Sequence, residues 1–344
     1  MMSTTEASRV AGIDVGKYEL EVALPGGEVV GFGNDEAGLE ALLVRLRAAG
    51  VTLAVCESSG GYERGLVSAL QTGSLAVHVA HPNKVRGFMK ACGREGKTDR
   101  LDAGGLQRYG EVMAVSGQAP RPEAEVALEE TLRRRRQLVS QRAQEKTRLE
   151  GGLTGSVQES CERHIAWLDE EIKQLEAAYQ AQLAADEALK ARAELYQSVC
   201  GVGALTAATL LAWLPELGEL PGPALVSLVG VAPWSRDSGT HQGKRRIRGG
   251  RKWVRHALYL SALSALRHDA VLREYHQGLV RRGKPGKVAV IAVLRKLVLR
   301  LHAVARRGTP WQAEPPVDEA TQSAGDAGRV LACAGNSGMA AGVR

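Results

Sequence analysis

The chain has 344 residues, 44% hydrophobic and 24% charged, with 45 Lys plus Arg against 38 Asp plus Glu and a formal net charge of +7. At ~150 residues per domain, that length suits two domains and a connector, and the composition suits a soluble globular chain with a sizeable core. No apolar run approaches the ~20 residues of a bilayer span, and residues 1–10 hold no apolar signal core. The five cysteines are scattered and never spaced CxxC, which argues against a disulfide framework or zinc–thiolate site and predicts a reducing, cytoplasmic setting without membrane partners.

The first region alternates strands and helices. RVAGIDV reads as an apolar strand, ELEVAL as an alternating one, Pro25-Gly26-Gly27 as a turn and EVVGF as a returning strand. Asn34 is placed to cap a helix with Leu39, Leu42, Leu43 and Leu46 on one face, stopped by Gly50. VTLAVCE is a fourth strand, followed by a Ser-Ser-Gly-Gly break and a helix near 62–71. LAVHVAH is a fifth strand closed by Pro82, with helices near 83–91 and 99–113. The predicted order is β-β-β-α-β-α-β-α, a mixed sheet with an antiparallel start, over residues 1–118.

Residues 119–196 lose strand signals. Ile165, Leu168, Ile172, Leu175 and Tyr179 step by 3 and 4, the seam of a coiled coil or helical hairpin. Gly151, Gly152 and Gly155 divide the segment into two arms. An unfilled seam would be an exposed apolar stripe, so a protomer-joining role stands beside a simple spacer. Residues 197–313 read as mostly helical, interrupted by a Gly- and Arg-rich loop. Residues 314–344 have the composition of a disordered tail. The fold class expected is α/β plus all-α.

Charge is concentrated. Residues 235–256 hold eight basic residues (Arg236, Lys244, Arg245, Arg246, Arg248, Arg251, Lys252, Arg255) against Asp237 alone, and residues 275–313 add nine with no acid. Two such clusters favour a polyanionic partner over a merely solvated face. Lys244, Arg245, Arg246, Arg248, Arg251 and Lys252 are the candidate nucleic-acid contacts. Trp234 and Trp253 could stack on bases or pack within the domain. The Gly201-Val202-Gly203 turn resembles a helix-hairpin-helix whose N–H groups could face phosphate, although a tight interhelix turn explains it equally well.

Acids mark the ends of the strands. Asp14 ends the first and Glu57 the fourth, while Asp99 and Asp102 share one face at the start of a helix. If the first and fourth strands are neighbours, Asp14 and Glu57 emerge side by side with that helix crossing them. Four carboxylates in one place repel without cations. Hard oxygen donors in that number suit Mg²⁺ or Mn²⁺, and such ions can drive in-line displacement at phosphate. Each acid also has a plain alternative as a turn, strand-end or helix-start residue.

GIDVGK, ESSGGYE and KTDRLDA resemble the DEDD domain of IS110-family transposases, on the RuvC-like branch of the ribonuclease H fold. GVGALTAATLLAWLPELG and GVAPWSRDSGTHQGKRRIRGGRKWVRHALY resemble that family's second domain. The resemblance covers about residues 9–310 and implies a DNA recombinase that moves its own insertion element. It implies that Asp14, Glu57, Asp99 and Asp102 bind metal and that Ser238 is the nucleophile, holding a broken strand as a phosphoserine. It implies further a structured guide RNA pairing with donor and target DNA. The implied assembly is a dimer of dimers in which carboxylate and serine domains of different protomers act together.

A covalent serine intermediate conserves phosphodiester energy, so strands rejoin without ATP. Ser238 lies in Arg-Asp-Ser-Gly, where Gly239 permits close approach of a phosphate, and His241 could accept its proton. The bland reading is a turn serine bonded to its own backbone, and Ser235 is the competing hydroxyl. Two rivals remain at this point. One is a Holliday-junction-type nuclease using water. The other is a sugar-kinase-like or actin-like ATPase, which would need a duplicated domain and a second phosphate loop that the sequence lacks.

Overall fold

The computed structural model of the chain describes residues 9–93, 99–234 and 245–312, with the backbone alone at 99–101. The chain divides into two compact units, Met1–Arg121 and Pro122–Arg344.

The first unit is built on one five-stranded sheet. Its strands are β1 (Val10–Val15), β2 (Glu19–Ala23), β3 (Val29–Gly33), β4 (Leu53–Glu57) and β5 (Ala76–Ala80), in the order β3-β2-β1-β4-β5. β2 is antiparallel to β1 and β3, while β4 runs parallel to β1 and β5 parallel to β4. The expected element order is therefore observed, and the first and fourth strands are neighbours. The central strands read as near-continuous apolar runs because both of their faces are covered. On one face α1 (Glu36–Ala48) and α2 (Glu63–Thr72) bury Leu42, Leu46, Leu66 and Leu70 against Ile13, Leu20, Val22 and Cys56. On the other, α3 (Pro82–Ala91) and α4 (Asp99–Met113) bury Met89, Leu106 and Tyr109 against Val10, Leu53 and Val55.

Asn34 does not cap α1. Asp35 does, accepting from the Gly38 N–H at 2.8 Å. Asp and Asn cap about equally well, so sequence preference alone could not choose between adjacent candidates.

The second unit is mostly helical. It begins with α5 (Glu123–Glu150) and α6 (Gly155–Ala185), joined at Gly151-Gly152. The ion pairs Arg135–Glu176 and Arg142–Asp169 and the His164–Glu145 hydrogen bond step inward toward that turn, so the two helices form an antiparallel hairpin. The seam read from the sequence is filled within the chain: Leu168 and Ile172 are buried against Leu138 of α5, with Val139 and Leu175 beside them. The protomer-joining role is therefore not needed to cover those residues. The base of the hairpin (Leu128, Leu132, Tyr179, Leu183) enters the main core of the unit. That core is shared with α7 (Glu187–Gln197), α8 (Ala204–Trp213), α9 (Gly222–Val229), α10 (Lys252–His268), α11 (Ala270–Arg281) and α12 (Gly286–Arg307). α12 contributes Val293, Leu294, Leu297, Val298 and Leu301 at helical spacing. A short ribbon, β6 (Pro233–Trp234) with β7 (Arg246–Ile247), flanks the Arg-rich loop.

Candidate active site

The acid-bearing end of the first unit depends on a glycine. A Cβ on Gly12 would lie 2.1 Å from the Ala103 carbonyl oxygen and 2.3 Å from the Gln107 nitrogen, so the bare backbone of β1 is the seat of α4. Side chains alternate along a strand, so Asp14, two residues on, lies on the same face. Val55 also faces α4, because its Cγ2 stands 2.7 Å from where a Cβ on Gly110 would be. Glu57, two residues further along β4, shares that face. β1 and β4 run parallel with Ile13 beside Cys56, and one step further Asp14 and Glu57 stand side by side at the carboxyl ends of adjacent strands. Ligands of open α/β sheets bind at such ends. Asp102 directly precedes Ala103 in α4, and all three acids are half-buried. Asp99 opens α4, and its side chain lies outside the described residues.

Glu21 joins them. It pairs with Asp14 across the antiparallel β1–β2 ladder, and directly opposed residues share a face. The sequence carried this signal in the alternation of ELEVA, where Leu20 and Val22 are buried on the far face. The donor set of this corner is carboxylate oxygen, which fits a hard divalent cation. Among the described residues, no three Asp, Glu, His or Cys side chains cluster closely enough to hold a metal by themselves.

The loops leaving the acids are fixed by hydrogen bonds. After Glu57, Gly60 and Gly61 take φ of +84° and +124°, which glycine adopts without strain. Glu63 closes this loop: one Oε2 accepts from the Ser59 hydroxyl at 2.9 Å, the Ser59 N–H at 3.2 Å and the Gly61 N–H at 2.8 Å. Burial pushes the Glu63 carboxyl up, but these donors outweigh it and hold the group below its ordinary range. Asn34 ties the same loop to the one leaving Asp14, donating from Nδ2 to the Gly16 carbonyl at 2.9 Å and the Tyr62 carbonyl at 3.2 Å. Cys56, fully buried on the opposite face, has its thiol pushed up to about 12, chiefly by burial and then by the nearby negative charge of Glu63.

In the second unit, Ser238, Ser235, His241 and Lys244 lie outside the described residues. Arg245, Arg246, Arg248 and Lys252 are exposed. Arg251 is engaged differently: its guanidinium makes a bidentate pair with Glu216, 2.5 Å on each arm, and donates to the Trp213 carbonyl at 2.9 Å. Arg255 donates to the Gly249 carbonyl at 2.5 Å and the Gly230 carbonyl at 3.3 Å. These two arginines anchor the C-terminal flank of the loop. Gly250 presses on Gly230, where a Cβ would come within 2.3 Å of its nitrogen, whereas Gly249 faces open space.

The Arg136 guanidinium lies 3.7 Å from the Trp253 ring centre and 5.5 Å from that of Trp213, a cation–π sandwich that gives Trp253 a packing partner. Trp234 is exposed. Ile247, Lys252, Trp253, His256, Tyr259 and Ile291 help line a cavity of about 410 Å³. The Gly201 turn approaches protein closely: a Cβ there would stand 2.4 Å from the Ser261 carbonyl of α10, so helix–helix packing accounts for this glycine.

Comparison with known proteins finds two family matches along the chain, the first of which runs past Arg121 into the α5–α6 hairpin. Residues 11–157 match the DEDD domain of IS110 elements, described as "Transposase", and residues 193–277 match the "Transposase IS116/IS110/IS902 family". The "Pilin gene-inverting protein" of Moraxella lacunata is 28% identical over 262 residues, covering 75% of this chain and 81% of the relative. The "Insertion element IS110 uncharacterized 43.6 kDa protein" of Streptomyces coelicolor is 34% identical over 121 residues, 35% of this chain and 30% of the relative. Among solved structures, Thermus thermophilus RuvC aligns over 31% of this chain and 98% of its own, with 15% identity and a TM-score of 0.24. Among the described residues, no helix is long and apolar enough to cross a membrane.

Proposed function

The chain belongs to the IS110 family of transposases and is a DNA recombinase, and on that footing we propose that it cuts and rejoins strands through a phosphoserine on Ser238, assisted by carboxylate-bound Mg²⁺ or Mn²⁺. The observation that carries the metal reading is the adjoining placement of Asp14 and Glu57 on the face covered by α4. Asp102, and Asp99 at the start of the same helix, complete the proposed ligand set. A divalent cation held there supplies charge stabilisation at the scissile phosphate.

The chain's own part is to hold those carboxylates in place and to present a hydroxyl. The Ser238 oxygen forms a bond to phosphorus while the bond from phosphorus to the leaving strand's oxygen breaks, and the serine proton passes to solvent or to His241. Rejoining reverses this: a DNA hydroxyl attacks the phosphoserine and Ser238 leaves. The exposed Arg245, Arg246, Arg248 and Lys252, with Lys244, bind DNA phosphates in this reading. The strand order β3-β2-β1-β4-β5 supports a RuvC-like ribonuclease H fold for the first unit. A structured guide RNA and a dimer of dimers belong to the same family reading.

The test is strand cleavage in Mg²⁺ by Asp14→Asn, Glu57→Gln and Asp102→Asn. Each removes a charge with little change of shape, and each is expected to lose two or more orders of magnitude in rate while melting temperature and DNA binding hold. Normal rates in all three would overturn the metal assignment.

A further inference from the structure

Asn34 occupies the junction between β3 and α1, yet its side chain takes no part in capping the helix, because Asp35 does so. It reaches across the carboxyl ends of the strands instead. Its Nδ2 donates to the carbonyl of Gly16, two residues after Asp14, and to the carbonyl of Tyr62, at the end of the loop that follows Glu57. Its own N–H donates to the Tyr18 carbonyl at 2.8 Å. Both side-chain partners are carbonyl oxygens, so the amide nitrogen, not the oxygen, must face them. Only a group with two protons on one atom can satisfy both from this position.

Each loop it joins is closed locally; in the first, the Gly16 N–H donates to the Glu19 carbonyl at 2.9 Å. One turns at Gly16, and the other at Gly60 and Gly61, which take positive φ. Glu63 holds the second loop together from within, but among the described side-chain hydrogen bonds Asn34 links it to the first. The β1–β4 ladder sets the strand spacing as far as Ile13 and Cys56; beyond that last pair, the bridge ties together the turns that follow Asp14 and Glu57.

We propose that Asn34 is a positioning residue, which sets the spacing of the Asp14 and Glu57 carboxylates through its two-carbonyl bridge. This rests on the reading that those carboxylates hold a divalent cation. Residues that orient metal ligands without touching the metal change affinity by about 10- to 100-fold when replaced.

The decisive variant is Asn34→Asp, which keeps the shape and turns a donor of two protons into an acceptor facing two carbonyls. Melting temperature of the full chain is followed while Mn²⁺ is added, since a ligand of the folded state raises it in proportion to binding. The wild-type chain is expected to rise with Mn²⁺ and Asp14→Asn not to rise. Asn34→Asp is expected to rise only at Mn²⁺ concentrations at least 10-fold higher. In strand cleavage, Asn34→Asp is expected to lower kcat at limiting metal, with KM for DNA unchanged, and to recover as metal is raised.

A wild-type midpoint in Asn34→Asp, whatever its metal-free melting temperature, would overturn the bridge's role and make Asn34 merely structural. If the wild-type chain shows no rise with Mn²⁺, the metal reading falls and the inference with it. Should Asn34→Asp fail to fold, Asn34→Ser, which keeps one proton to donate, is titrated in its place. The same 10-fold shift is expected, and an unshifted midpoint again overturns the proposal.

Discussion

Replacing Gly12 by Ala adds one methyl group at the point where β1 meets α4. That carbon would stand 2.1 Å from the Ala103 oxygen, 2.3 Å from the Gln107 nitrogen and 2.9 Å from the Gln107 Cα. All three are helix backbone, so no side chain can swing aside. Ordinary contact begins near 3.4 Å, and reaching it requires α4 to withdraw from the sheet by more than an ångström. Overpacking of this kind costs about 1–3 kcal/mol, and each kcal/mol lowers the melting temperature of a domain this size by about 4 °C. The chemistry should suffer more than the stability. α4 carries Asp102, and misplacing a catalytic group by about 1 Å costs on the order of 100-fold in rate. Thermal melts and Mg²⁺-dependent strand cleavage, assayed well below the mutant's melting temperature, measure both effects. Gly104→Ala is the internal control: it is the same Gly-to-Ala change made in α4 itself, where the added Cβ meets nothing within 4 Å. It should stabilise by about 0.5–1 kcal/mol through helix propensity and leave activity unchanged. A Gly12→Ala chain as stable and as active as wild type would refute the seating of α4 on β1.

At pH 8, iodoacetamide should label exposed Cys92 in minutes and buried Cys56 only after denaturation, because burial pushes the Cys56 thiol up to about 12; rapid labelling of Cys56 in the folded chain would contradict the buried β4. Glu63 is held below its ordinary value in the folded chain, so its contribution is present above about pH 4.5 and is lost as pH falls through the lowered value. Glu63→Gln should therefore flatten the acid limb of the melting-temperature profile, and an unchanged limb would remove Glu63 as the clasp of its loop. In the second unit, Arg251→Ala should lower the melting temperature, because it leaves the half-buried Glu216 without its bidentate partner, whereas Arg248→Ala should not. Replacing Arg245, Arg246 and Arg248 together by Ala should flatten the log–log salt dependence of DNA binding by about 0.7–0.9 for each phosphate no longer neutralised; an unchanged slope would place the loop away from DNA.

Much of the first unit was legible because its signals are local. Strand alternation, the turn at Pro25-Gly26-Gly27 and the leucine spacing of α1 each depend on a few neighbouring residues, and the five strands fall where those patterns put them. The position of Asp14 beside Glu57 needed one further step, the adjacency of β1 and β4, which topology supplied. Long-range partners were not legible. Nothing local distinguishes Asn34 as a bridge from Asn34 as a helix cap, since its partners are carbonyls 18 and 28 residues away. The seam of α6 announced that something must cover Leu168 and Ile172, but its period is the same whether the cover is another protomer or α5. Likewise Arg251 belongs to a run of basic residues, and only the fold brings Glu216, 35 residues earlier, to neutralise it. Glu21 was readable in principle, since the alternation that buries Leu20 and Val22 turns it toward α4.

A serine on the basic loop that cuts strands with the help of metal-bound carboxylates leaves a trappable bond to DNA. The most direct measurement is a denaturing gel of end-labelled element DNA incubated with the purified chain and Mg²⁺. A covalent protein–DNA adduct is expected with the wild-type chain and with Ser235→Ala. No adduct is expected with Ser238→Ala or Asp14→Asn, although both still bind DNA. Cleavage by Ser238→Ala at a normal rate, with no adduct in the wild-type lane, would make water the nucleophile and rule out the phosphoserine.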